Sequence, residues 1–229
     1  MDIKEKIQEL LLEDKVAIHV GESGFWDING SVLLTWVFMA VFIIAVLVLT
    51  AGMRVHNPGK RQIIAELIVE KLRGIVGGML GEEAEDYRDF VTAILIFIGG
   101  VNLTGIFGVV PPTMDLNVTI ALATVSIILV EFSGIRARGI GGWFKAFAKP
   151  VAIITPINIL ELGIRPLSLC MRLFGNILGA TVIMELLRMA VPVILPAALS
   201  LYFDIFDGLI QAYVFVFLTS LYIKEAVEP

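Results

Sequence analysis

Residues 32–52 read VLLTWVFMAVFIIAVLVLTAG, a run without one charged side chain. A helix of about 20 apolar residues is what crosses the ~30 Å hydrocarbon core of a bilayer. The whole chain agrees, because 58% of it is hydrophobic, 17% is charged and its mean hydropathy is +0.90, whereas soluble domains are about a quarter charged. We therefore predict an integral membrane protein whose first span is 32–52.

Composition also argues against several classes of function. The net charge of −5 gives no basic surface for nucleic acid. The single cysteine, Cys170, excludes an internal disulfide, and two histidines, His19 and His56, make a dedicated metal site a poor expectation. No nucleotide loop, Ser/His/Asp set or metal cluster is apparent, so we expect neither a cofactor nor a self-contained enzyme. The N-terminus lacks the pattern of a signal peptide, and span 32–52 is expected to direct insertion.

The polar stretch 53–89 contains apolar residues at helical spacing with charged residues between them. This pattern predicts an amphipathic helix over 60–80 that lies on the membrane surface or on a partner. A solvated soluble helix is the alternative.

Two further spans, 90–110 and 117–132, are separated by a proline pair and predict a transmembrane hairpin over 90–132. The following loop, 133–150, contains four basic residues and no acid, so the positive-inside rule makes it cytoplasmic. Counting back places 60–80 on the cytoplasmic side and 1–31 outside.

The stretch 151–189 is mainly apolar yet contains five charged residues. As one helix it is about 58 Å long, roughly twice the hydrocarbon core, so it must tilt strongly or bend. Pro192 and Pro196 predict a turn, after which 198–223 returns to the cytoplasmic side. These features predict a single all-α membrane domain over 1–229, with about five membrane-inserted helices, a tilted helix hairpin over 151–223 and a cytoplasmic C-terminus.

Each arm of the predicted hairpin carries one polar stripe at helical spacing. We expect the two stripes to face each other, a water-filled cleft or another protein. Their members are Glu161, Arg165, Ser168, Arg172, Asn176 and Gly179 on the first arm, and Ser200, Asp204, Asp207 and Gln211 on the second.

Arg172 lies deep in this apolar helix, where an ionisable group costs several kcal/mol and usually belongs to an ion pathway. The structural alternative is that it pairs with an acid on a neighbouring helix. Arg165 and Arg188 are nearer the membrane surfaces, where we expect their long side chains to reach the headgroup region.

Four motifs together resemble one family. RPLSLCMRLFGNILGA around Arg172 closely resembles the signature of subunit a of F-type ATP synthases around its essential arginine. Three others agree in order, and the resemblance extends over about 30–225. They read NPGKRQIIAELIVEKLRGIVGGMLG, NLTGIFGVVPPTMDLNVTIALA and FDGLIQAYVFVFLTSLYI.

The resemblance implies the stator half of a rotary motor in the bacterial plasma membrane. Its tilted hairpin would face a rotor ring of c subunits, each with a membrane-embedded carboxylate reached through two offset half-channels. The b subunits of the peripheral stalk and the other ATP synthase subunits are further implied partners, with catalysis located in another part of the complex. We expect the ion to be a proton; a sodium-translocating version of the same subunit and a stand-alone secondary transporter are the alternatives.

The resemblance also implies a role for individual residues. Arg172 is the essential arginine, Gln211 the neighbour that orients it, and Asn176 a hydrogen-bonding group in the cleft. The half-channel candidates are Asp204, Asp207, Asp115 and Asn117 on the outer side, and Glu161 and Ser168 on the inner side.

One position departs from the family pattern. Many members have glutamate or histidine nine residues after the arginine, where this chain has Thr181. One relay group is therefore missing, and Asp207, Glu185 or a water chain is expected to replace it.

Overall fold

A computed structural model describes residues 16–18, 28–54, 59–107, 111–147, 152–190 and 199–228. Two short strands pair antiparallel before the first span. Among the residues described, six α-helices of eight residues or more follow, with four 3₁₀ turns in the described connections and a π-helical turn at Tyr202–Asp207. The elements are β1 (Val16–Ile18), β2 (Ile28–Asn29), α1 (Gly30–Thr50), α2 (Lys60–Leu80), α3 (Arg88–Asn102), α4 (Leu116–Ala146), α5 (Thr155–Ala190) and α6 (Gly208–Val227).

In the part of the chain that the structure describes, five helical stretches are long and apolar enough to cross a membrane. The prediction of an all-α membrane protein with about five spanning helices is confirmed; the β1–β2 pairing is the exception within the described residues. The predicted turn at Pro192 and Pro196 lies outside those residues. The five stretches are Gly30–Thr50, Glu85–Ile106, Leu116–Ala146, Thr155–Met184 and Leu199–Val227.

α1 stands at the edge of the bundle, and none of its residues is buried within the chain. Phe38 makes its closest approach to α3: a Cβ added at Gly100 would lie 2.6 Å from the tip of the Phe38 ring. That ring also meets Phe97 edge-on at 6.1 Å. The missing side chain of Gly100 therefore makes the space in which α1 docks.

α2 presents Ile63, Ile64 and Leu67 outward, each at least half exposed. Its C-terminal end is buried through Val76 and Leu80. The helix ends at Gly81, whose φ of 75° suits glycine. α2 thus covers the range for which an amphipathic helix is predicted, and its apolar flank remains available to lipid or to a partner.

The core of the bundle lies where α4 packs against α5 and α6, and α6 against α3. Its largest fully buried side chains include Phe215, Ile98, Leu169 and Leu173. Buried hydroxyl residues from α4 and α6 lie among them: Thr119, Ser126, Ser133, Thr219 and Ser220. Small side chains of this kind allow membrane helices to approach closely.

α4 continues past the predicted end of the third span at residue 132. It breaks at Gly139, which has φ 69° and ψ 163°, and then resumes to Ala146. No proline lies between 133 and 138 to stop the helix, so the predicted loop 133–150 is wrong over much of its length. Just before the break, Arg138 donates hydrogen bonds to the backbone carbonyls of Glu225 and Glu228 at the end of α6.

α5 runs through 36 residues and passes Pro166 without a break. At about 1.5 Å per residue it is roughly 54 Å long, far more than a perpendicular crossing of the ~30 Å core needs. A helix of this length stays in the hydrocarbon region only at a slant.

Candidate functional site

Arg172 is exposed on α5. The buried side chains Leu169, Leu173 and Ile177 lie on another face of the helix, directed into the core. Within the described residues, no hydrogen bond or ion pair engages the guanidinium. The alternative reading, in which an acid on a neighbouring helix holds Arg172, therefore finds no partner there.

One turn further along α5, Asn176 meets Gln211 of α6. The amide nitrogen Nδ2 of Asn176 donates to Oε1 of Gln211 at 2.6 Å. Gln211 is only 2% exposed, and its Nε2 is buried with no acceptor among the described residues. Two residues singled out in the sequence are thus brought together beside Arg172, with donor capacity still unused.

The polar stripe on the second arm is interrupted. Tyr202–Asp207 forms a π-helical turn, in which the backbone N–H of Gly208 donates to the carbonyl of Phe203 five residues earlier. The predicted stripe assumed uniform α-geometry from Ser200 to Gln211, and the wider turn displaces its first members around the helix. Asp207, at the end of the turn, is half-buried, and the Asp204 side chain lies outside what the structure describes.

Asp115 and Asn117 lie together at the start of α4. The Asp115 carboxylate accepts a hydrogen bond from the backbone N–H of Asn117 at 2.8 Å, which makes it the N-cap of the helix. Thr181 of α5 adjoins the turn before α4: its hydroxyl is 3.8 Å from the Met114 sulfur and donates to the Ile177 carbonyl at 2.9 Å.

At the other end of α5, Arg165 bridges two acids. It pairs with Glu161 at 3.2 Å and with Glu225 of α6 at 2.8 Å, and its guanidinium lies 5.0 Å from the centre of the Tyr222 ring. Its side chain is only 18% exposed, so the prediction that Arg165 reaches toward the headgroups is wrong. The acids on α5 and α6 hold it within the bundle. Ser168, nearer Arg172, is half-buried.

A cavity of about 240 Å³ opens where α4, α5 and α6 meet beside Arg165. Glu131 of α4 borders it and accepts a hydrogen bond from Trp143 Nε1 at 2.7 Å. Glu131 and Glu225 are absent from the sequence-based set of candidates. Glu131 could have been identified from the sequence, because it is an acid at the end of an apolar span. Glu225, near the C-terminus, has no such feature in the sequence around it.

Comparisons with known proteins identify the family. The family described as ATP synthase A chain matches residues 32–224. "ATP synthase subunit a" of Moorella thermoacetica is 34% identical over 88% of this chain and 92% of its own length. "ATP synthase subunit a, sodium ion specific" of Propionigenium modestum is 32% identical over 90% of this chain and 76% of its own. "ATP synthase subunit a, chloroplastic" of Stigeoclonium helveticum is 34% identical over 92% of both.

The family match extends over five-sixths of the chain and overlaps every helix described above. The regions matched to these three relatives cover most of this chain and most of each relative. The chain therefore belongs to the family of ATP synthase a subunits, the non-catalytic membrane components through which an F-type ATP synthase translocates ions.

Proposed function

We propose that Arg172 meets the carboxylates of a rotating ring of c subunits, and that ions reach these carboxylates through two offset half-channels. The observation that carries the proposal is the exposed guanidinium of Arg172, which has no partner in the described part of the chain. A cation at membrane depth is costly unless another group compensates its charge. A carboxylate on the adjacent rotor supplies that compensation.

The chemistry of the two groups explains how the ion moves. A rotor carboxylate faces lipid only when it is neutral, because desolvation penalises its charged form. A fixed cation beside it favours the ionised form, so each site releases its ion as it passes Arg172. The same charge repels a cation that would cross directly between the half-channels. Ion flow then turns the ring, and rotation drives ATP synthesis.

Arginine suits this position better than lysine. Its guanidinium stays protonated at every relevant pH, whereas a desolvated lysine loses its proton more readily and would open a leak. The planar guanidinium also presents several donors to a carboxylate at once.

Asn176 and Gln211 orient the cleft next to Arg172. Their 2.6 Å hydrogen bond joins the two arms of the hairpin, and the Nε2 of Gln211, which has no acceptor among the described residues, supplies a donor for water within the cleft. Buried amides rarely leave a donor unpaired, because each such donor costs about 1–3 kcal/mol. The unpaired donor supports a role for Gln211 beside Asn176.

The outer half-channel runs past Asp204 and Asp207, with Asp115 and Asn117 at its mouth. The contact between Thr181 and Met114 supports this arrangement, because it joins the end of α5 to the turn that precedes Asp115. Thr181 itself donates to a backbone carbonyl and has no titratable group, so Asp207 serves as the relay.

The inner half-channel leads from Glu161 past Ser168 to Arg172. Glu161 borders the 240 Å³ cavity, together with Glu131 and Glu225. Arg138 and Arg165 line the same opening, and Arg165 pairs with Glu161 and Glu225, so its wall carries polar and charged groups of both signs. The cavity therefore supports an inner entrance at this end of α5.

We place the chain in the bacterial plasma membrane, with segment 1–31 outside and the C-terminus in the cytoplasm. The basic residues Arg136, Arg138 and Lys145 at the end of α4 support a cytoplasmic location for that end. Helix 60–80 then lies on the cytoplasmic side, and 32–52, 90–132 and 151–223 form the span, the hairpin and the tilted hairpin of one membrane domain.

The b subunits of the peripheral stalk and the other ATP synthase subunits complete the set of partners. A groove of about 680 Å³ lies between α1 and α2, and its lining includes Val46, Leu49 and Val69. Because no residue of α1 is fully buried within the chain, much of its surface is available to neighbouring subunits and to lipid.

The proposed ion is the proton. Sodium is a second candidate, because one relative is described as sodium ion specific. Within the described residues no cluster of side chains could hold a metal ion, and ion selectivity is assigned to the rotor carboxylate on another chain.

The test is Arg172→Ala in membrane vesicles that contain the whole ATP synthase, with Arg136→Ala as the matched control. Arg136 is an exposed arginine that pairs with Asp86 away from the hairpin. We expect ATP-driven ion pumping to disappear in Arg172→Ala and to persist in Arg136→Ala, at equal amounts of assembled complex.

Coupled pumping by Arg172→Ala at the control rate would overturn the proposal and would leave a structural scaffold as the better reading. Ion transport by the purified chain alone would favour a stand-alone transporter.

A further inference from the structure

Asn102, the last residue of α3, makes two buried hydrogen bonds to distant parts of the chain. Its Nδ2 donates to the backbone carbonyl of Gly208 at 3.0 Å. Its Oδ1 accepts from the hydroxyl of Thr113 at 2.7 Å. Asn102 is 3% exposed and Thr113 is fully buried, so water does not compete for either bond.

Gly208 lies against Asn102 without room for a side chain. A Cβ added at Gly208 would be 3.2 Å from the Cβ of Asn102 and 3.8 Å from its backbone. Glycine therefore allows the end of α3 to approach the backbone of the last helix closely enough for the hydrogen bond.

Gly208 is also the residue at which the π-helical turn ends. Its N–H is shared between the carbonyls of Phe203, five residues earlier, and Ile205, while its own carbonyl is held by Asn102. These bonds act on opposite sides of one residue, between the wider turn and the regular helix α6.

The position of this junction decides how the polar residues on either side are turned relative to each other. A wider turn accommodates an extra residue, and one residue corresponds to about 100° of rotation around an α-helix. Asp207 ends the π-helical turn, and Gln211 lies one turn into α6. A shift of the junction would move Asp207 away from the direction that Gln211 faces.

We propose that Asn102 is a positioning residue for ion translocation: with Thr113 it holds the Gly208 carbonyl and fixes the π-to-α junction that orients Asp207 relative to Gln211. This inference rests on the proposed function for the roles of Asp207 and Gln211. The geometry of the junction itself does not depend on those roles.

The first measurement follows the junction directly. A thiol is introduced as Asp207→Cys in a Cys170→Ala background, and its modification by a water-soluble methanethiosulfonate reagent is timed in vesicles containing the assembled complex. Asn102→Leu removes both hydrogen bonds, so the junction opens more often. We expect modification at position 207 to become about tenfold faster, as expected for the loss of buried hydrogen bonds.

Two controls accompany this labelling. Thr92→Val removes another buried hydroxyl of α3, whose bond to the Arg88 carbonyl stays within the helix, and should leave the rate at position 207 unchanged. A thiol introduced as Lys224→Cys, at the far end of α6, should react equally fast with and without Asn102→Leu.

The second measurement is ATP-driven ion pumping with Asp207 and Cys170 intact. Asn102→Leu is expected to lower pumping per assembled complex about tenfold relative to Thr92→Val. Thr113→Val keeps the bond from Asn102 to Gly208 and should shift both measurements in the same direction by less. A purely structural role would reduce the amount of complex and leave the pumping of each complex unchanged.

Unchanged labelling at position 207 in both Asn102→Leu and Thr113→Val would overturn the inference. Should Asn102→Leu not assemble, Asn102→Asp, which keeps the acceptor for Thr113 but has no donor for Gly208, decides in its place. Labelling does not require transport, so its failure differs from failure of the proposed function, which appears as normal pumping by Arg172→Ala.

Discussion

At the scale of single residues, Arg172 and Gln211 share one property: both present donors that nothing in the described chain accepts. For Arg172 the donors are exposed on the surface of α5; for Gln211 the free amide nitrogen is buried next to Asn176. An exposed charge without a partner is unfavourable in a membrane chain that stands alone, so the Arg172 guanidinium is consistent with a site that is completed at an interface. The buried donor of Gln211 costs stability within the chain.

Gln211→Leu is expected to separate function from folding. Leucine has a similar size, and Asn176, the partner left behind, is exposed and can donate to water instead, so the loss of stability should be small. Ion pumping should fall about tenfold, because the cleft loses a donor and Asn176 loses its acceptor. Pumping in vesicles and the amount of chain in the membrane are the measurements.

Ser220→Ala is the matched control, because Ser220 is another buried polar residue of α6 whose side chain has no partner. It should pump normally. Equal pumping by Gln211→Leu and Ser220→Ala would remove Gln211 from the ion path.

The acids that hold Arg165 allow a prediction about stability. Glu225→Gln breaks a 2.8 Å ion pair between α5 and α6 and should lower the free energy of unfolding by about 0.5–1 kcal/mol, since Glu225 is largely exposed. Glu161→Gln breaks a pair within one helix turn and should cost about 0.3–0.5 kcal/mol. Unfolding of the purified chain in detergent micelles measures both, and a larger loss for Glu161→Gln would contradict the assigned geometry.

At the scale of elements, the break in α4 shows how one residue redirects a helix. Gly139 has φ 69° and ψ 163°, a region that is nearly restricted to glycine. The residues before it form the core-facing part of α4, and those after it include Trp143, which donates to Glu131. The break therefore folds the end of α4 back toward its own preceding turns and closes one side of the inner cavity.

Gly139→Ala and Gly141→Ala should have opposite effects on stability. Neither added Cβ would meet an atom within 4 Å, so space does not distinguish them. At Gly139 the backbone conformation should make alanine cost about 1–3 kcal/mol. At Gly141, which has no positive φ, alanine should stabilise by about 0.5–1 kcal/mol.

Thermal unfolding of the two variants in the same detergent measures this contrast. Equal effects would mean that the break does not depend on the conformation of Gly139.

The elements differ in how well they could be predicted from the sequence. Spans were predictable because the hydrophobicity of about 20 consecutive residues is a local property, and the range 60–80 for α2 coincides with the helix observed. The end of α4 could not be predicted in this way. The basic residues after 132 indicate a loop, although 133–138 contains no proline that would stop a helix. The π-helical turn had no local signal, since its hydrogen bonds depend on what holds Gly208.

At the scale of the whole molecule, the residues of the candidate site also differ in whether the sequence alone predicts them. Arg172 and Gln211 stood out because a charge or an amide in an apolar helix is visible in the sequence alone. Asn102 and Glu225 did not, because their partners lie 106 and 60 residues away, at Gly208 and Arg165. Contacts over such separations come from the packing of the bundle and have no counterpart in local periodicity.

The identity of the ion is a property of the complete complex. We assign ion selectivity to the rotor carboxylate, and we propose that the ion is the proton. ATP hydrolysis by the assembled enzyme should therefore not depend on sodium. Hydrolysis measured with and without sodium ions, at constant ionic strength, tests this. Activation by sodium would instead favour the behaviour for which the Propionigenium modestum relative is named.

The exposure of Arg172 has a consequence for biogenesis. A newly inserted chain that has not met its neighbours presents an uncompensated guanidinium at membrane depth, at a cost of about 2.5–3.5 kcal/mol when it faces hydrocarbon. Under the proposed function, docking against a rotor carboxylate removes that cost, so we expect Arg172 to favour assembly as well as transport. We therefore expect a copy without its neighbours to be the less stable form.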